Sequence, residues 1–418
     1  SGTFGEDAEL ASKLTRAYIL GFQGERIGPD SVSCMTKHFP GGGPQEDGED
    51  SHFSYGQRQV YPGDNLDYHL RPFEAAFAAG TSQIMPYYSL PVGLAFEEVG
   101  FGFNKDVITG LLREKYGFDG IVCTDWMLLT GMKIAGKTVM EAKAWGAEHL
   151  SVPERARKVI EAGVDQFGGE ACPEVIVALV QSGQITEERI DQSARRLLRE
   201  KFALGLFDDP YLDANRASEI AGQPAFREAG KLAQRRAFVL LKNSEFHHEV
   251  QQNGEQRPSP VLPLSGKPKI YVEGIDAEAA GKYATIVEKP AAADFAILRL
   301  STPYEERRGI MERLIHAGDL DFKGSEKERI LAMLDTVPTI VDIYLERPAV
   351  IPEIAQKAAA LLANFGAEDD ACLDVIFGRH TPGGRLPFEL PRSMEAVRRQ
   401  KEDLAYDSEN PLFAFGFG

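Results

Sequence analysis

The stretch Gly117-Phe118-Asp119-Gly120-Ile121-Val122-Cys123-Thr124-Asp125-Trp126 decides how this chain is read. A glycine launches the short apolar run 121–123, which has the composition of a buried β-strand. The run ends on a carboxylate and an indole. In a barrel of parallel strands, chemistry is done at the strands' carboxyl ends, so an acid there is a candidate catalytic group. A lone strand-end aspartate is as often a helix cap, and its neighbours decide between the two.

Outward from this strand, strands and helices alternate. The patterns predict helices over 9–21, 70–79, 105–116 (with Asn104 as its cap), 154–161 and 187–202. They predict strands over 31–36, 83–87 and 121–123, and the helix 154–161 leads into Gly163-Val164-Asp165. Such βα alternation implies a parallel sheet with helical crossovers. About four strands are visible, half of what a closed (β/α)8 barrel of roughly 250 residues requires. Residues 206–228 read as an exposed linker. Five further apolar runs (239–241, 270–272, 295–300, 339–345 and 359–364) indicate a second domain. Its expected form is a three-layer α/β/α sandwich around a mostly parallel sheet. The expected organisation is therefore α/β: a partial (β/α)8 TIM-type barrel over 1–205, a linker, and the sandwich over 229–418. The stretch 252–260 reads as a polar loop.

Composition narrows the function. With 46 Lys and Arg against 63 Asp and Glu, the formal net charge of −17 argues against nucleic acid or an anionic membrane as partner. No apolar run approaches the ~20 residues that span a bilayer. The four cysteines form no CxxC pair, and Cys34 and Cys123 fall inside expected core strands, so buried free thiols are expected rather than disulfides or zinc. The compartment stays open.

Three expected strands end in chemically useful groups: Lys37-His38, Tyr87-Tyr88 and Asp125-Trp126. A cation, an imidazole, a carboxylate and an indole together suit a sugar, whose hydroxyls take directional hydrogen bonds while its apolar face packs on tryptophan.

At this point the sequence resembles glycoside hydrolase family 3. Lys37-His38-Phe39, Tyr88, the 117–126 stretch and Gly205-Leu206-Phe207-Asp208 stand in the order of that family's barrel. Stretches 239–243, 262–264, 382–387 and 415–418 resemble its sandwich domain. The resemblance implies an exo-acting retaining β-glycosidase, foremost a β-glucosidase. Asp125 would be the nucleophile, Lys37 and His38 would hold sugar hydroxyls, Tyr88 would flank the nucleophile, and Trp126 would line the pocket.

A second carboxyl group, protonated at the outset and about 5–5.5 Å from the nucleophile, is required by the retaining mechanism. One branch of the family, the β-N-acetylhexosaminidases, instead places a histidine paired with an aspartate after Lys-His-Phe-Pro-Gly; here Gly42 stands in that place. Asp50-Ser51-His52 further on also resembles that branch, and His52 either orders the loop or contacts substrate. The resemblance therefore points to the second domain, where Pro303-Tyr304-Glu305-Glu306 follows a strand, and leaves Glu305 and Glu306 as alternatives. Asp119, before its strand, is expected to be structural, Glu6-Asp7 to cap a helix, and Glu346-Arg347 to form a structural ion pair.

The expected substrate is an oligosaccharide or β-glycoside, with no organic cofactor and no metal. A β-N-acetylhexosaminidase is the alternative enzyme, and a non-catalytic carbohydrate-binding or assembly subunit the alternative of another class. Phe4-Gly5-Glu6-Asp7 resembles a segment after the family's fourth barrel strand, so the barrel's first half, with an aspartate and an arginine that hold the same sugar, is expected to be missing. A second polypeptide, a loss at the gene level or pairing in a homo-oligomer would account for it.

Overall fold

The computed structural model describes residues 3–134, 137–247, 258–309 and 311–418. The chain divides into two compact units, one of 3–212 with 401–405, the other of 213–400 with 406–418.

In the first unit, Met35–Phe39, Gln83–Pro86, Ile121–Trp126 and Gln166–Gly168 form a parallel sheet in sequence order. Neighbouring each strand to the next along the chain is the winding of a barrel rather than of a doubly wound sheet. The first strand begins four residues later than the pattern suggested. Ahead of it the backbone bonds elsewhere: Val32 N–H donates to Phe22 O and Cys34 N–H to the Gln23 side chain. Cys34 is accordingly half-buried, whereas Cys123 is a core residue; neither is in a disulfide.

Helices Ala8–Gln23, Leu66–Ala78, Val152–Ala162 and Glu187–Ala203 alternate with these strands, as does Asp106–Lys115 with its wider, π-type bonding. Asn104 Oδ1 accepts from Val107 N–H, the cap its residue type favours. Ile84, Val122, Val107, Ile108 and Leu112 form the buried interior of this unit.

At the strands' amino ends sits a charge knot. The buried Asp165 carboxylate accepts from Arg113, Arg196, Ser193 and Val122 N–H, and Asp119 pairs with Arg196 and Arg199. A buried charge is tolerable when every lone pair is occupied, as here. Conserving stability at this end leaves the carboxyl ends for chemistry.

The second unit holds a six-stranded sheet ordered Thr285–Ile286, Lys269–Glu273, Phe295–Ser301, Thr339–Tyr344, Ala360–Asn364, Val239–Asn243. Only the last pairing is antiparallel. Alternate residues feed two separate cores: Leu298, Val341 and Leu361 pack with helices Gly324–Thr336 and Pro352–Lys357, while Ile297, Ile340 and Leu362 pack with Asp369–Ile376. A sheet apolar on both faces between helices is the three-layer sandwich. All five apolar runs are strands; the two-residue strand Thr285–Ile286 was too short to leave a pattern.

The stretch 206–228 is largely exposed, yet folds the helix Ala214–Ile220 and opens Pro224–Ala237. Of the loop 252–260, residues 252–257 lie outside the described residues, and Pro258–Pro260 pairs with Glu245–His247.

Candidate active site

The strand Ile121–Trp126 runs on past the apolar run 121–123 through Asp125 and Trp126, so Asp125 is held by a rigid element. Its carboxylate is 7% exposed and ringed by donors. Tyr88 Oη lies 2.8 Å from Oδ1, with the Trp126 carbonyl also at 2.8 Å; Trp126 N–H donates to the same Oδ1 at 2.8 Å; His38 Nε2 stands 3.2 Å from Oδ2. Burial alone would push the Asp125 carboxyl up, but the bonds from His38, Trp126 N–H and Tyr88 prevail and hold it below the ordinary aspartate value. Burial raises the Tyr88 phenol, and the Asp125 charge raises it further, so Tyr88 stays protonated and able to donate. The arrangement fixes an ionised carboxylate.

Lys37 and His38 lie within the strand Met35–Phe39, on the neighbouring segment. Lys37 is exposed and makes no hydrogen bond or ion pair among the described residues, so its ammonium is available to a ligand. His38 instead turns toward Asp125, its ring 4.8 Å from that of Tyr87. Trp126 is 47% exposed. Its indole lies across Gly168 and Gly169, where an added Cβ would sit 3.0 Å and 2.0 Å from ring carbons. Glu170 then braces the loop beyond Trp126 by accepting from Leu129 N–H and Thr130 N–H. One face of the indole rests on backbone and the other side is open, a platform suited to a sugar ring.

His52 packs edge-on against Tyr88, ring centroids 4.9 Å apart, and its Nδ1 stands 2.6 Å from Asp50 Oδ1. Burial would raise the Asp50 carboxyl, but the His52 bonds hold it low. Trp145 Nε1–H donates to Ser51 O at 2.9 Å and so pins the segment carrying this pair. Lys143, only 2% exposed, sits beside Trp145 and donates to Glu141 O at 3.3 Å. Burial lowers its pKa against the opposing pull of Asp50 and Glu141. Lys143, Trp145, Gly168-Gly169 and Glu170 carry no motif; only the rarity of tryptophan, two in the chain, could have drawn attention to Trp145.

In the second unit Glu305 and Glu306 lie in the loop after Phe295–Ser301, and both are exposed. Lys323 Nζ is 3.2 Å from Glu305 Oε1, and the Glu305 side chain covers Gly318, where a Cβ would lie 2.6 Å from it. Glu306 makes no hydrogen bond or ion pair among the described residues. With Tyr304, Arg307, Glu312, Arg313 and Ile315 these glutamates line a hollow of about 240 Å³. Glu346 and Arg347 do not pair with each other: Glu346 bonds His316 Nδ1, and Arg347 donates to Gly318 O. Asp7, as expected, caps its helix by accepting from Leu10 N–H. Among the described residues no group of three or more metal-binding side chains converges, and no helix is long and apolar enough to cross a membrane.

Comparison with known proteins follows the same division. Residues 1–200 match the family model described as glycosyl hydrolase family 3 N terminal domain, and residues 269–418 match the glycosyl hydrolase family 3 C-terminal domain. The chain is 52% identical over 424 residues to a β-glucosidase C of Emericella nidulans, covering 100% of this chain and 66% of that protein. It is 39% identical over 437 residues to a periplasmic β-glucosidase/β-xylosidase of Dickeya chrysanthemi, covering 100% and 64%. Among solved structures, a β-glucosidase from Listeria innocua in complex with glucose superposes with a TM-score of 0.75 at 20% identity, over 100% of this chain and 62% of that one. At that identity the likeness concerns the fold. The chain spans about two thirds of the length of the curated relatives it matches.

Proposed function

We propose that this chain, which belongs to glycosyl hydrolase family 3, carries the catalytic residues of an exo-acting retaining β-glycosidase, foremost a β-glucosidase. Relatives about half identical to it bear the name β-glucosidase, which supports that substrate class. The observation that carries the reading is the Asp125 carboxylate, kept ionised by three donors at a strand's carboxyl end beside a half-exposed indole. A nucleophile that attacks an anomeric carbon must be charged and immobile, and this one is both.

In this mechanism Asp125 forms a covalent glycosyl-enzyme, and a proton donor first assists the leaving oxygen and then deprotonates water. Trp126 receives the sugar's apolar face, and Lys37 binds its hydroxyls. A proton donor must be free to reach the leaving oxygen. The Glu305 side chain is held by Lys323 and lies over Gly318, whereas the Glu306 side chain makes no hydrogen bond or ion pair among the described residues, so we assign the role to Glu306. One observation favours a second assignment. The His52 imidazole is oriented by Asp50 and packs on the tyrosine that bonds the nucleophile, an arrangement suited to proton transfer.

The test is hydrolysis by the full-length protein of nitrophenyl β-glucoside, β-xyloside and β-N-acetylglucosaminide. The β-glucoside should turn over fastest, and Asp125→Ala should abolish turnover while leaving the fold intact. A fluorinated glucoside that forms a long-lived glycosyl-enzyme should label Asp125 in a peptide mass map. Label elsewhere, or near-normal turnover by the variant, overturns the assignment. The proton donor is found by comparing Glu306→Ala, Glu305→Ala and His52→Ala on substrates with poor and good leaving groups, since only loss of the true donor spares the good ones.

A further inference from the structure

The loop carrying Glu305 and Glu306 is tied at a few points to a second segment, 316–318, and the ties converge on one histidine. Tyr304 and His316 stack face to face, ring centroids 3.7 Å apart and planes inclined by 7°. One residue on, Glu305 N–H donates to Ala317 O at 2.9 Å. The Glu305 side chain then lies over Gly318, whose φ of 82° and missing Cβ leave room for it. The histidine is fixed in turn: Glu346, just beyond the strand Thr339–Tyr344, bonds its Nδ1, and Arg347 holds Gly318 O. A rigid strand thus holds Glu346, Glu346 holds the imidazole, and the imidazole holds the tyrosine two residues before Glu306. Tyr304 is 44% exposed and would otherwise be free to turn.

We infer that His316 is a positioning residue, which acts through its stack on Tyr304 to set the place and angle of the carboxyl-bearing loop. The inference rests on the proposed reading that Glu306 is the proton donor. His316 transfers no proton in this scheme. It narrows the wanderings of a loop whose useful glutamate makes no hydrogen bond or ion pair among the described residues. A misplacement of about 1 Å at a reacting group can cost about a hundredfold in rate.

The expected signature is selective. In the full-length protein, His316→Ala should lower kcat/KM for methyl β-glucoside, which needs its leaving oxygen protonated, by about tenfold or more. Dinitrophenyl β-glucoside, which needs no such help, should lose less than about threefold. His316→Phe keeps a ring for the stack and should restore most of the loss; Tyr304→Leu should reproduce the alanine pattern, and Tyr304→Phe should not. Thermal unfolding of each variant shows that it folds, and the tyrosine pair tests the stack even where the histidine variant does not. Equal losses on both substrates, or no loss on either, overturn the positioning role. Glu306→Ala is measured alongside. If it lacks the leaving-group dependence, the donor assignment itself fails, whereas a clear dependence there with none in His316→Ala removes this inference alone. A wild type that cleaves neither glucoside removes the reading on which both depend.

Discussion

Gly169→Ala tests whether Trp126 works as a platform, and its size follows from the contact geometry. An alanine Cβ would meet the indole at 2.0 Å from Cδ1 and 2.5 Å from Nε1, where an ordinary carbon contact is about 3.5 Å. The ring must therefore withdraw by about 1.5 Å. Gly169 also has φ +66°, and an alanine held in the left-handed region costs roughly 1–2 kcal/mol. Trp126 cannot retreat along its own strand, because its N–H is bonded to Asp125 and its carbonyl to Tyr88. The displacement must fall on the indole, on the side where the sugar ring would pack.

A shift of that size at a substrate-positioning group corresponds to about a hundredfold in kcat/KM, or about 2.7 kcal/mol of transition-state stabilisation. The assay is kcat/KM for nitrophenyl β-glucoside in the full-length wild type, Gly169→Ala, Trp126→Ala and the double variant. With no indole left to displace, adding Gly169→Ala to Trp126→Ala should cost little. The coupling between the two sites should then reach about 2 kcal/mol, toward the top of the range for residues in contact. If Gly169→Ala keeps wild-type activity, or its loss persists undiminished without Trp126, the platform argument is wrong.

Other consequences are as direct. Tyr88→Phe removes one donor from Asp125, so the carboxyl pKa rises toward its ordinary value and the acid limb of kcat/KM moves to higher pH; a profile unmoved would mean that Tyr88 donates only to Trp126 O. The folded-state pKa of Asp125 is depressed, so its contribution to stability is present above the unfolded value of about 3.9 and fades as pH falls through the folded one. Tyr88→Phe should therefore be less stable than wild type at neutral pH, with the gap closing in acid. Asp403, fully buried, accepts from Gly63 N–H and Asn65 N–H and ties segment 401–405 to the start of helix Leu66–Ala78. Asp403→Ala strands both donors at about 1–3 kcal/mol each, a loss of about 2–6 kcal/mol that urea denaturation would read; an unchanged midpoint would show that water replaces the carboxylate.

What the sequence disclosed and what it hid divide along a physical line. A buried parallel strand is a continuous apolar run, so 121–123 and the five runs of the second unit were visible, and the groups at their carboxyl ends came with them. The first strand was misplaced because residues 31–34 alternate polar and apolar as a strand does, yet the N–H groups of Val32 and Cys34 donate to the helix Ala8–Gln23 instead of a neighbouring strand. The platform beneath Trp126 comes from glycines more than forty residues away, and the His316 stack joins two loops of no periodicity. Neither leaves a local trace, because each is a fact of packing rather than of propensity.

The same line runs through the carboxylates. The sequence and its family resemblance singled out Asp125 as the expected nucleophile but left Glu305 and Glu306 as alternatives, since an aspartate or glutamate becomes nucleophile, acid or mere structure through its surroundings. Asp342 shows how strongly. It ends nothing and faces no cleft; burial in the central strand of the sandwich raises its pKa, and Arg299, Asn364 and Cys372 oppose that rise. Three donors around a buried carboxylate make Asp125 a fixed anion, and a lysine makes Glu305 a pair. Glu306 makes neither contact among the described residues, so the proposed order of roles rests on where each donor stands and not on the spacing of the acids.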